Sequence, residues 1–170
     1  MLRPRSRAGY DPAQCAVFSQ GKALITTFGR HLVVEYHGCD STVLDDADLL
    51  REVMEAAALN ANASIVQTVV HRFTPQGASV VVVVEESHLS IHTWPEVGYA
   101  AVDFYTCGEC DPILAHEVLF ERLRAEESEI VVLHRGLQTE ATSVVQVEKR
   151  VERATDLDEF NSKNATGRAS

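Results

Sequence analysis

Long apolar runs are missing from this chain. The longest, Val80 to Val84, has five residues, far short of the roughly 20 that a membrane-spanning helix needs. Basic residues are also scarce: 15 Lys and Arg face 25 Asp and Glu, for a formal net charge of −10. A protein that tracks nucleic-acid phosphates needs clustered cations, so that class is excluded. Cys15, Cys39, Cys107 and Cys110 are too few and too irregularly spaced for a secreted disulfide framework. Arg3, Arg5 and Arg7 open the chain as a secretory leader would, but Ser19, Gln20, Gly21 and Lys22 interrupt the only apolar stretch that follows. The expected location is the cytoplasm. The glycosylation-like triplets at Asn62 and Asn164 are then chance matches.

What is present fits one soluble domain. The chain has 170 residues, 45% hydrophobic and 24% charged, enough to bury a core. Residues 1–28 lack periodicity and are expected to be an extension. Leu32 to Tyr36 has strand character and ends at Gly38. Asp45 or Asp46 can cap a helix on which Leu50, Val53, Met54, Ala57 and Ala58 share one face. Strands are expected over Ser64–Phe73 and Ser79–Glu85, with Pro75-Gln76-Gly77 as the turn between them. Leu89–Thr93 is a short strand broken by Trp94-Pro95, and Tyr99–Thr106 is another. Asp111-Pro112 starts a second helix with Ile113, Leu114, Val118, Leu119 and Leu123 on its apolar side. Glu129–Leu133 is the last strand, and residues 137–170 form a tail, either partly disordered or a short helix.

Links of hairpin length in the middle of the chain predict an α+β fold: an antiparallel sheet with two helices packed on one face. The other face then needs cover. A second copy pairing sheet against sheet would supply it, giving an α/β/β/α sandwich.

Chemistry concentrates in Glu85-Glu86-Ser87-His88-Leu89-Ser90-Ile91-His92-Thr93-Trp94-Pro95-Glu96. Three carboxylates, two imidazoles and two serines sit where an apolar strand turns. Burying such groups unpaired costs about 1–3 kcal/mol each. A Ser within reach of a His is a candidate activated nucleophile.

The run from Glu86 to Gly108, together with GRHLVVE at 29–35 and HRFTPQGAS at 71–79, resembles the bacterial and archaeal S-adenosylmethionine decarboxylases. The likeness spans about residues 29–136. It implies a self-cleaving chain that forms its own pyruvoyl cofactor at the Glu86-Ser87 bond. Ser87 would attack the Glu86 carbonyl, His92 would take the Ser87 α-proton, and Ser79 would assist processing. The resulting ketone condenses with the substrate α-amine and draws electrons as CO₂ leaves, the sink that pyridoxal phosphate supplies elsewhere. Cys107 matches the proton donor, a role that suits a thiol held protonated. Phe73 matches an aromatic that stacks on adenine, and Glu96 a carboxylate that holds the ribose hydroxyls. The implied product feeds spermidine synthesis, and the implied assembly is a homodimer of cleaved protomers. His71 and Trp94 have a structural reading, and no metal is expected.

Three other readings compete. The same chemistry serves arginine or ornithine, because the reacting ketone is indifferent to the side chain. An unprocessed paralogue can act as a regulatory partner, though intact Ser79, Glu86, Ser87, His92 and Cys107 speak against it. Cys107 and Cys110 form a CxxC, which alone suggests a thiol-redox module. As half of a zinc site it lacks a second pair.

Overall fold

The computed structural model describes residues 18–19, 22–23, 29–85, 87–107, 110–136 and 146–155. Glu86, most of the 1–28 extension and much of the 137–170 tail lie outside this set. Within it, β1 (Phe18–Ser19) and β2 (Lys22–Ala23) form a small two-stranded ladder. The body comprises β3 (Gly29–His37), α1 (Ser41–Asp45), α2 (Ala47–Asn60), β4 (Ser64–Arg72), β5 (Ala78–Glu85), β6 (Ser87–Trp94), a 3₁₀ turn at Pro95–Val97, β7 (Tyr99–Cys107), α3 (Pro112–Arg122), β8 (Glu127–Arg135) and β9 (Gln146–Arg153). Seven strands make one antiparallel sheet in the order β4-β5-β6-β7-β3-β8-β9. This is the expected α+β architecture. None of the described helices is long and apolar enough to cross a membrane.

Strand alternation sorts the side chains into two layers. Leu32, Val34 and Tyr36, Val80, Val82 and Val84, Leu89 and Ile91, and Val102 and Phe104 are buried toward the helices. Helix α2 lies against β4, β5 and β6, helix α3 against β3 and β7, and the two helices pack on each other. Helix α2 buries Leu50, Val53, Met54, Ala57 and Ala58, the stripe its periodicity predicts. Asp46 is its cap, accepting from the Asp48 and Leu49 amides at 3.1 and 3.0 Å. Asp45 instead ends α1, a short helix that the sequence reading did not separate, and its carboxylate accepts the Gly77 amide at 2.9 Å.

Two elements depart from expectation. Helix α3 turns Ala115, His116, Leu119 and Phe120 inward, while Ile113, Leu114 and Val118 are only partly buried. His116 is not among the apolar positions expected for this helix, yet it is buried. Two partners make its burial tolerable: Nδ1 lies 2.7 Å from the Tyr36 hydroxyl and Nε2 3.0 Å from Glu152 Oε2. The tail also holds a strand where disorder or a helix was expected. Its charges are matched across the sheet, Arg153 to Glu127 at 2.6 Å and Glu148 to His134 at 3.5 Å.

None of the described helices lies on the sheet's other face. Val69, Val83, Val147 and Val151 are 50%, 38%, 53% and 49% exposed there, so the apolar surface calls for a covering layer.

Met54 is fully buried under the sheet, and Met54→Ala should destabilise the fold by about 2–5 kcal/mol. Asp46→Ala, which removes only the helix cap, should cost about 1 kcal/mol. Urea unfolding followed by circular dichroism would rank the two.

Candidate active site

The uncovered face carries most of the candidate groups, and pairing register dictates where each falls. Ser87, opposite the buried Val84 and two residues before the buried Leu89, has the helix-side parity at the head of β6. One row across the strands is Val83, His88, Tyr105, His31 and Leu133. The next is Val81, Ser90, Asp103, Val33 and Val131, and the third is His71, Ser79, His92, Ala101, Glu35 and Glu129.

Ser87 heads β6. Its side chain is half-buried, and its hydroxyl donates to the backbone carbonyl of Tyr105 on β7. Cys107 ends β7, on the same strand face as Tyr105 and directly opposite Gly29. A Cβ on Gly29 would fall 2.5 Å from the Thr106 carbonyl oxygen and 2.9 Å from the Tyr105 ring. Only glycine permits that approach, and the Tyr105 ring lies over the space it leaves. The Arg135 guanidinium sits 4.5 Å above that ring, and Arg135 Nη1 is 3.2 Å from His31 Nδ1. An Arg nitrogen can only donate, so Nδ1 accepts and the His31 proton belongs on Nε2. That nitrogen lies 3.3 Å from Asp103 Oδ1, close but outside hydrogen-bond alignment. Burial pushes the His31 pKa below its ordinary value, with Asp103 pulling the other way and Arg135 adding to the lowering. His31, Asp103, Tyr105 and Arg135 were not singled out from sequence. Strand parity was the available signal, because His31, Asp103 and Tyr105 share a face with Cys107.

The remaining predicted residues gather elsewhere. Ser79 and His92 are direct cross-strand partners, with Oγ 2.5 Å from Nδ1. His92 lies five positions beyond Ser87 along β6, about 17 Å at strand rise. Phe73 follows β4 and is half-buried, its amide donating to the Gly77 carbonyl at 2.8 Å and its ring edge-on to His71 at 5.7 Å. Gly77 closes this turn at φ +90°, where a Cβ would meet the Thr93 carbonyl at 2.6 Å. Glu96 lies in the 3₁₀ turn and accepts from Gln76 Nε2 at 3.0 Å. Both border an open cleft of about 700 Å³ with Asp45, Asp46 and Arg72. Arg72 is already tied to Asp48 at 2.8 Å, so carboxylates dominate the cleft. The chain thus holds two clusters: Ser87 and Cys107 at one end of the sheet, Ser79, His92, Phe73 and Glu96 at the other. Glu86, the residue ahead of the expected cleavage, lies outside the described residues.

Burial, helped by Asp111, pushes the Cys110 thiol up to about 11 against the opposing pull of Arg30, so Cys110 itself stays protonated near neutral pH and is a poor nucleophile. Among the described residues no three His, Cys, Asp or Glu side chains are grouped to hold a metal.

Fold and site together define a class: an α+β domain with one bare sheet face, carrying Ser, His and Cys on adjacent strands. A family model described as S-adenosylmethionine decarboxylase matches residues 30–136, and the chain belongs to that family. It is 50% identical over 111 residues to the S-adenosylmethionine decarboxylase proenzyme of Thermotoga petrophila, covering 65% of this chain and 85% of that one. It is 48% identical over 110 residues to the protein of the same name from Caldicellulosiruptor saccharolyticus, covering 64% and 89%. The crystal structure of the adenosylmethionine decarboxylase from Aquifex aeolicus superposes with a TM-score of 0.62 at 35% identity, over 69% of this chain and 98% of that one.

With a pKa of about 11, only about one Cys110 thiol in a thousand is ionised at pH 8. Its iodoacetamide labelling, followed by peptide mass spectrometry, should accelerate roughly tenfold per pH unit between pH 8 and 10. Rapid labelling that stays flat across this range would mean a lowered pKa and would contradict the effect of burial on Cys110.

Proposed function

We propose that this protein is a decarboxylase of S-adenosylmethionine that becomes active by cutting its own chain ahead of Ser87. The observation that carries the reading is the Ser87 hydroxyl, half-buried at the head of β6 and bonded to the strand that ends in Cys107, within the residues the family model matches. Attack by Ser87 Oγ on the preceding carbonyl exchanges the amide for an ester. Loss of the Ser87 α-proton to His92 then expels the Glu86 carboxylate, and hydrolysis releases ammonia and leaves a pyruvoyl group at the new N-terminus. Ser79, bonded to His92, would orient that imidazole or steady the oxyanion. The pyruvoyl group supplies a ketone to capture the substrate amine and an acceptor for the electrons freed with CO₂. Cys107 returns a proton to the former α-carbon. Phe73 would stack on adenine, and Glu96 would take the ribose hydroxyls. The excess of carboxylates in the cleft suits a cationic sulfonium substrate.

The distance between the two clusters matters for this chemistry. At about 17 Å along β6, His92 of one chain cannot reach the Ser87 α-proton of that chain. A second copy laid face to face over the bare sheet brings its own Ser79, His92, Phe73 and Glu96 to the first copy's Ser87 and Cys107. The proposed homodimer therefore does two jobs: it covers the exposed valines and completes two equivalent sites.

Arginine or ornithine as substrate would leave Phe73 and Glu96 without a nucleoside to bind. The similarity to S-adenosylmethionine decarboxylases favours the nucleoside. CO₂ release measured across the three substrates decides, and preference for a free amino acid would overturn the assignment.

On a denaturing gel the purified protein should run at about half its full mass, and mass spectrometry should find two fragments consistent with scission before Ser87, with a blocked N-terminus on the one that begins at residue 87. Ser87→Ala should remain whole. Cys107→Ala should cleave yet lose at least about 100-fold in kcat, as removal of a general acid does. Co-expressing Ser87→Ala with His92→Ala tests the shared site. If two copies build it, the His92→Ala chain is cleaved in the mixed dimer, because its Ser87 meets an intact partner imidazole. If each chain works alone, neither is cleaved.

A further inference from the structure

Gln76 is hydrogen-bonded to Glu96, and the foregoing chemistry gives it no part. It sits at the tip of a turn restrained on three sides. The Phe73 amide is bonded to the Gly77 carbonyl at 2.8 Å, and the Gly77 amide to Asp45 Oδ1 at 2.9 Å. Gly77 also packs against the Thr93 carbonyl so closely that no Cβ fits. From this braced turn Gln76 Nε2 reaches Glu96 Oε2 at 3.0 Å, across the rim of the 700 Å³ cleft.

A carboxylate has two oxygens, about four acceptor sites in all, and an exposed one rotates freely. Two vicinal hydroxyls are held well only if both oxygens face them in a fixed plane. A donor on one oxygen fixes that plane and leaves the other oxygen fully open. The same turn carries Phe73 at its other end, so stacking surface and carboxylate are set by one piece of backbone.

We infer that Gln76 is a positioning residue for ribose recognition, acting through Glu96, and that the turn from Phe73 to Gly77 is a single nucleoside-binding unit anchored by Asp45. The inference rests on the reading of Glu96 as the ribose ligand. Its signature is a loss confined to substrates that carry ribose hydroxyls.

The full-length protein is used, cleavage being checked on a gel before kinetics. Gln76→Ala should self-cleave as the parent does and show a KM for S-adenosylmethionine raised about tenfold, the loss expected for about one charge-assisted hydrogen bond, with the loss on KM rather than kcat. Gln76→Glu, which sets a like charge against Glu96, should be worse. With the 2′,3′-dideoxy analogue of the substrate, parent and Gln76→Ala should have the same KM. An unchanged KM for S-adenosylmethionine overturns the inference, as does an equal penalty on the dideoxy analogue. Should Gln76→Ala fail to cleave or fold, Gln76→Met, which keeps the volume and removes the donor, takes its place under the same criteria. Glu96→Gln separates the two levels. If it raises KM while Gln76→Ala does not, the positioning role alone falls. If Glu96→Gln leaves KM unchanged, the ribose reading falls and takes the positioning role with it.

Discussion

The register of β6 between its two neighbours is the constraint on which the site depends. Val84 opposite Ser87 puts Ser79 opposite His92, and His88 opposite Tyr105 puts Ser87 beside the strand that ends at Cys107. Side chains alternate with period two, so a slip of one residue would send His92 and Ser90 into the helix layer and turn Leu89 and Ile91 outward. Burial prevents this: Leu89 and Ile91 are fully enclosed, and each is worth roughly 1.5–3 kcal/mol in its pocket. The apolar half of β6 thus holds the polar half in place.

A consequence is that the core and most of the polar groups occupy opposite faces of one sheet, with Ser87 at the strand end on the core-side parity. The helices cover the face that supplies the core. The bare face gathers hydroxyls, imidazoles and carboxylates among half-exposed valines. Polar groups on such a surface are solvated in a lone chain and become desolvated when another layer covers them, which strengthens every electrostatic contact there. Arg135, His31 and Asp103 already form a chain of contacts near Ser87, with Nδ1 committed as acceptor.

Much of this was legible in the residues. Helix α2 followed from five apolar positions at helical spacing and an Asp cap, and the central strands from β-branched runs between turn residues. The inward face of α3 was not, because His116 owes its burial to Tyr36 and Glu152, 80 and 36 residues away in the chain. Strand β9 was hidden for a similar reason: Glu148, Glu152 and Arg153 look like a solvated tail until their partners on β8 and α3 are known. The chemically important residues were visible as types, Ser79 and His92 included. Their separation from Ser87 was not, because a motif close in sequence need not be close in space along an extended strand.

Strand β9 lies beyond residues 30–136, which the family model matches, and it pairs along the whole of β8. Without it, Ile130-Val131-Val132-Leu133 would present a straight row of unsatisfied amides and carbonyls flanked by aliphatic side chains, a template for sticking to other chains. The strand that takes this place displays Glu148, Lys149, Arg150, Glu152 and Arg153 at the rim. Alternating charges there repel stray strands, so this segment acts as a gatekeeper on the β8 side of the sheet.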